Sequence, residues 1–69
     1  MSTADRLRAE GEARGEMRGR AETVLEQLAL RFGPVSVAIS GRVRAADIAE
    51  LRLWTVRVLD SDSLDAVFE

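Results

Sequence analysis

The sequence predicts an all-α protein in which a long N-terminal helix is followed by two or three short helices, expected as a helical homodimer. Three observations carry that expectation. Apolar residues recur at helical spacing, as at Val24, Leu25, Leu28, Ala29 and Phe32. Oppositely charged residues stand four apart between Asp5 and Glu22, in a stretch without proline. Asp47 and Glu50 form an aspartate version of the capping box ahead of a further apolar run. The dimer enters because a chain of 69 residues buries a modest fraction of the surface its unfolded form exposes, so a partner subunit is expected.

The first helix is expected over Asp5 to Phe32, with Ser2 and Thr3 ahead of it as a frayed end or weak N-cap region. Its charge pairs are Arg8 with Glu12, Glu10 with Arg14, Glu16 with Arg20 and Arg18 with Glu22, each contributing about 0.2–0.5 kcal/mol. Gly33 and Pro34 stop it, since glycine accepts positive φ and proline cannot continue the hydrogen-bond ladder. Twenty-eight residues of helix span about 42 Å and project well beyond a domain this small.

Residues 35–45 are ambiguous at first reading. Val35, Val37 and Ile39 alternate as in a strand, but no second convincing strand is present to pair with it. Val35, Ile39 and Val43 also align at helical spacing with Ser36 as N-cap, so a short helix from about Ser36 to Ala45 is expected, with Gly41 weakening it. The best-signalled helix runs from Ile48 to Leu59. Its Ile48, Leu51, Trp54, Val58 and Leu59 suit a face packed within the domain, which leaves Leu53 and Val56 for a partner. In the tail, Asp60, Asp62 and Asp65 lack the glycine and terminal glutamate of a calcium loop, and a short final helix capped by Ser61 or Ser63 accounts for them. The expected core is Val24, Leu25, Leu28, Phe32, Ile39, Val43, Ile48, Leu51, Trp54, Val58, Leu64 and Phe68.

Glycine recurs every fourth residue at Gly11, Gly15 and Gly19, within the tetrads GEAR, GEMR and GRAE. Each interior glycine costs a helix about 1 kcal/mol relative to alanine, more than the charge pairs offset. Two readings follow. The glycines lie on one helix face, where they let a second helix approach closely; alternatively the repeat is a weakly helical spacer expanded by tandem duplication. The expected interface is Leu7, Gly11, Gly15 and Gly19, together with Leu53 and Val56. One tetrad turns the helix by only about 40° and advances it about 6 Å, so copies with equal repeat numbers are expected to pair in register. Residues 1–23 are thus read as an oligomerisation seam and 24–69 as a small helical domain.

Composition narrows the chemistry. The chain has neither cysteine nor histidine, which removes disulfides, thiol nucleophiles, the usual zinc ligands and imidazole acid–base catalysis. The charged glycine stretch is not a phosphate-binding loop, because it does not join a strand to a helix. Carboxylates such as Glu12 and Glu16 alternate with arginines on a solvated face, and Trp54 is a lone aromatic suited to a core or an interface. Ten arginines face twelve acids, so nothing drives nonspecific binding to nucleic acid or an anionic membrane. The absence of lysine fits bidentate interface pairing or GC-rich coding bias equally well. The longest uncharged run, Phe32 to Gly41, is far shorter than a membrane span. A cytoplasmic protein is expected, with no cofactor, metal, small molecule, nucleic acid or membrane as partner and no enzymatic activity.

Four segments then combine: GEARGEMRGRAE, LRFGPV at Leu30 to Val35, DIAELRLW at Asp47 to Trp54, and VLDSDSLDAVF at Val58 to Phe68. Through them the chain resembles the C-terminal domain of unknown function that follows the catalytic domain in bacterial recombination-promoting, transposase-like nucleases of the PD-(D/E)XK superfamily. The resemblance covers nearly the whole chain. Thr55 stands where leucine is common, and Val56 where a polar residue is common, which enlarges the apolar surface around Leu53. The resemblance implies a helical appendage without catalysis, since the Asp, acid and Lys of the nuclease motif have no counterpart here. It also implies a partner, a full-length nuclease carrying the same C-terminal domain. A separated or independently made short form would form mixed dimers with that nuclease and inhibit it. The rival expectations are a DNA-binding module or a passive spacer for the same nuclease.

Overall fold

The computed structural model describes residues 2–69 and holds four helices, α1 (Thr3–Phe32), α2 (Val37–Arg44), α3 (Ile48–Asp60) and α4 (Leu64–Val67), with no strand among the described residues. α1 begins two residues earlier than its charge pattern indicates, because Ser2 caps it. The Ser2 hydroxyl accepts from the Asp5 amide at 3.3 Å and donates to the Asp5 carboxylate at 3.0 Å. At the far end the Gly33 amide donates to the Ala29 carbonyl, with Gly33 at φ 87° and ψ −169°. That pair of angles is accessible essentially to glycine alone, so the chain leaves α1 extended and enters Pro34 without another turn.

Ser36 caps α2 by accepting from the Ile39 amide at 3.2 Å. Helical geometry turns Ile39 and Val43 toward the core, where Val35 packs from just ahead of the cap, and sends Val37 into water, 90% exposed, so the strand-like alternation of this segment has no structural counterpart. Asp47 caps α3 by accepting from the Glu50 amide at 2.8 Å. α4 is capped by Ser63 rather than Ser61, through the Ala66 amide at 3.3 Å.

Two contacts fix the topology. Arg44 at the end of α2 pairs with Glu22 in the middle of α1. Arg31 at the end of α1 donates to the carbonyls of Val58 and, at 2.9 Å, of Ser61 at the end of α3. α2 therefore runs back along α1 and α3 runs forward again, an up–down–up arrangement. Arg31 also places a cation against the C-terminal carbonyls of α3, which favours it electrostatically.

The core consists of Ala21, Val24, Leu28, Val43, Leu51, Trp54, Val58 and Val67, with Leu25, Phe32, Val35, Ile39, Ala46, Leu64 and Phe68 half-buried against it. Ile48 is half-buried at the first turn of α3. Phe68 meets Trp54 edge-on at 5.0 Å between ring centroids, and the Arg42 guanidinium lies over both rings, at 5.6 Å from Trp54 and 5.0 Å from Phe68. Edge-on and cation–π contacts of this kind add to the stabilisation that the buried ring area itself supplies.

Two expected core-face residues lie elsewhere. Leu59 is 73% exposed, because the buried line of α3 runs Leu51, Trp54, Val58 and the next position lies about 100° further round the helix. Ala29 is exposed for the same reason, one position beyond buried Leu28. Thr55, half-buried beside Leu51, satisfies its hydroxyl by donating to the Leu51 carbonyl at 2.8 Å, so this position leaves no orphaned polar group.

Candidate oligomerisation surface

The bundle ends at Ala21, and α1 does not. From Ser2 to Gly19 every residue is exposed, Arg20 is half-buried and Ala21 is the first buried position. Residues 3–20 form a free helical arm of about 27 Å. The molecule measures 47 × 21 × 17 Å, and its radius of gyration of 14.1 Å exceeds the roughly 11 Å of a compact chain of this length.

Gly11, Gly15 and Gly19 all lie on the arm. A β-carbon added at any of them meets no heavy atom within 4 Å beyond the adjacent helix backbone. The protomer thus gives no steric reason for glycine at these positions. It also lacks most of the expected compensation from charge pairs, since Glu16 with Arg20 at 3.5 Å is the one pair formed within the arm among the described residues. The expected pairs Arg8–Glu12, Glu10–Arg14 and Arg18–Glu22 are not made. Their side chains are exposed, where pairing is worth little against side-chain entropy, and Glu22 turns to Arg44 instead. The hydrogen bond and charge of Arg44, with a smaller contribution from the charge of Arg18, lower the Glu22 pKa, and the same bond raises that of Arg44.

Leu7, 62% exposed, lies on the arm with the glycines. Leu53 and Val56, 47% and 62% exposed, lie instead on α3 beside the part of α1 that carries the core, and Leu59 extends them into a strip with three-residue spacing. The structure therefore separates the six expected interface residues into an arm group and an α3 group. Sequence reading missed Leu59 as a member of the second group, and the 100° step from Val58 was the available signal.

Where the arm leaves the bundle, an open groove of about 320 Å³ is lined by Arg14, Met17, Arg18, Ala21, Arg44 and Ala46. Three guanidinium groups surround an apolar floor, an arrangement suited to carboxylates carried on a helix with small side chains. Nothing in the linear sequence brings Arg44 and Ala46 to Arg14 and Arg18; the reversal of α2 along α1 does so.

No family model, curated protein or solved structure matches the chain. No helix among the described residues is long and apolar enough to cross a membrane.

Proposed function

We propose that this chain is a non-catalytic oligomerisation and regulatory module of the cytoplasm, which dimerises through the free arm of α1. The observation that supports this most directly is the open space at the glycines. Three interior glycines cost the helix roughly 3 kcal/mol, and an 18-residue arm carrying them falls short of independent helical stability in water. A second helix seated on that face explains both features, because absent side chains permit short backbone approach and association supplies the missing stability. The resemblance to the appendage of recombination-promoting nucleases extends the proposal. A full-length nuclease with the same arm forms mixed dimers with this chain, which reduces the nuclease's own assembly and its DNA cleavage.

Sedimentation of the purified 7.6 kDa chain tests the first step, with a concentration-dependent species of twice that mass expected. A monomer at all concentrations overturns the reading and favours a spacer. Co-elution with the full-length nuclease and reduced cleavage test the second step. Salt-sensitive retention on heparin would favour the DNA-binding rival, since the arm carries five arginines against four acids and binding should then follow phosphate neutralisation.

A further inference from the structure

We infer that the occupant of the arm is a second copy of this chain lying parallel and in register, with the orientation set by two charge columns beside the glycines. This rests on the dimer proposed above and adds its geometry.

Residues four apart form columns that drift only about 40° per step, and the neighbouring columns stand about 90° to either side of the glycines. On one side the column reads Arg8, Glu12, Glu16, Arg20; on the other it reads Glu10, Arg14, Arg18, Glu22. The two are opposite in sign at every level. Ala9, Ala13, Met17 and Ala21 form the remaining column, on the far side of the helix from the glycines.

Parallel helices meeting through one face bring opposite flanks together, whereas antiparallel helices bring like flanks together, the same rule by which flanking charges orient coiled coils. In a parallel pair in register, each residue of one column lies level with the gap between two of the other; the neighbours Arg8–Glu10, Glu12–Arg14, Glu16–Arg14, Glu16–Arg18 and Arg20–Glu22 are opposite in charge, and only Glu12–Glu10 and Arg20–Arg18 are alike. In an antiparallel pair centred on Gly15 the balance reverses, since Arg8–Arg20, Glu12–Glu16, Glu16–Glu16, Arg14–Arg14, Arg14–Arg18 and Glu10–Glu22 are like-charged neighbours and only Glu12–Arg20 and Glu10–Arg18 are opposite.

The structure supports the parallel arrangement in three ways. Arg8, Glu10, Glu12, Arg14 and Arg18 form no ion pair within the described protomer, which leaves them available to a second copy. Arg14 and Arg18 stand between the glycine face and the groove that they line with Arg44, so positive charge is gathered on the flank that Glu12 and Glu16 of a second copy approach. Ala21, Val24 and Leu28, which hold the bundle, lie about 140–180° round the helix from Gly19, so two bundles at the same end of the dimer stand apart.

Cysteine trapping reads the orientation directly, because the chain has no native cysteine and a β-carbon at these glycines meets nothing in the protomer. Gly11→Cys and Gly19→Cys are each oxidised alone and as an equimolar mixture, and the linked peptides are mapped by mass. Parallel pairing predicts that each variant links to itself and that the mixture yields no Gly11→Cys to Gly19→Cys link, since those positions are about 12 Å apart along the axis and a disulfide spans less than about 7 Å between α-carbons. A dimer in sedimentation that forms the mixed link and not the self-links overturns the orientation while leaving the dimer standing. A monomer without links overturns both. Charge reversal supplies a second reading: Glu12→Arg with Glu16→Arg, or Arg14→Glu with Arg18→Glu, should each weaken the homodimer at least tenfold, and mixing the two variants should restore association. Unchanged homodimers, or no recovery on mixing, overturn the role of the columns.

Discussion

Residues 3–20 and residues 21–69 are both helical, yet for different reasons. The bundle is held by tertiary burial. Ala21, Val24 and Leu28 make a stripe on α1 that α2 and α3 cover, and capping bonds at Ser36, Asp47 and Ser63 set where the short helices start. The arm continues the same helix without any such cover, and has only the Glu16–Arg20 pair and a cap at Ser2 to maintain it. One continuous helix thus has an end whose helicity rests on tertiary burial and an end that has none, and the proposed association falls entirely on the second. The difference predicts that substitutions sort by which side of Ala21 they fall on.

The largest expected effect breaks the bundle. Trp54→Ala removes the ring packed between Phe68 and Arg42 and should cost roughly 3–5 kcal/mol, seen as a large fall in thermal midpoint. Next comes the arm. Gly15→Leu fills the proposed seam and should weaken dimerisation at least tenfold in sedimentation, while a monomer-level thermal melt of the bundle stays unchanged; an intact dimer with higher helicity would instead indicate a spacer.

A smaller and more discriminating comparison pairs two glycines that look alike in the protomer. Gly41 in α2 and Gly11 in the arm are both open to an added β-carbon. Gly41→Ala should raise stability by roughly 0.5–1 kcal/mol, a few degrees in the thermal midpoint. Gly11→Ala should raise the helicity of the monomer but lower dimer affinity, so opposite signs for assembly at equivalent sites would mark where the seam lies.

The smallest effect concerns the exposed tie between α1 and α2. Arg44 holds the Glu22 pKa below its ordinary value near 4.5. A carboxylate with a lowered folded-state pKa contributes stability above the ordinary value, and that contribution fades as the pH falls through the folded one. Glu22→Gln should therefore melt slightly below the parent at neutral pH, and the two midpoints should converge under acid conditions.

Much of the bundle was legible in the sequence because its signals are local. Gly33–Pro34, Ser36 and Asp47 punctuate the chain through hydrogen bonds made within four residues, and the 3.6-residue period identifies Leu51, Trp54 and Val58 without knowledge of their neighbours. What depends on the direction of packing was not legible. Ala21 is 3% exposed, yet Ala9 and Ala13 in the same column of the helix are exposed, so residue type alone does not mark where the core begins. Val67 is fully buried, while the bulkier Leu64 and Phe68 on either side are only half-buried, an outcome set by how α4 turns under α3. The groove likewise required the fold, since Arg44 reaches Arg18 only through the reversal of α2.

Trp54 gives these two halves separate optical signatures. It is the only tryptophan in the chain, is 4% exposed, and packs its ring against Phe68 and Arg42, neither of which belongs to the arm. Its emission should shift to longer wavelength when the bundle opens and stay constant when the arm alone melts or associates. Backbone circular dichroism sums over both regions, so subtracting a fluorescence-detected transition from a dichroism-detected one isolates the arm. Transitions that coincide would mean that arm and bundle unfold as one unit, while an early loss of ellipticity at constant emission would record the arm fraying from its free end.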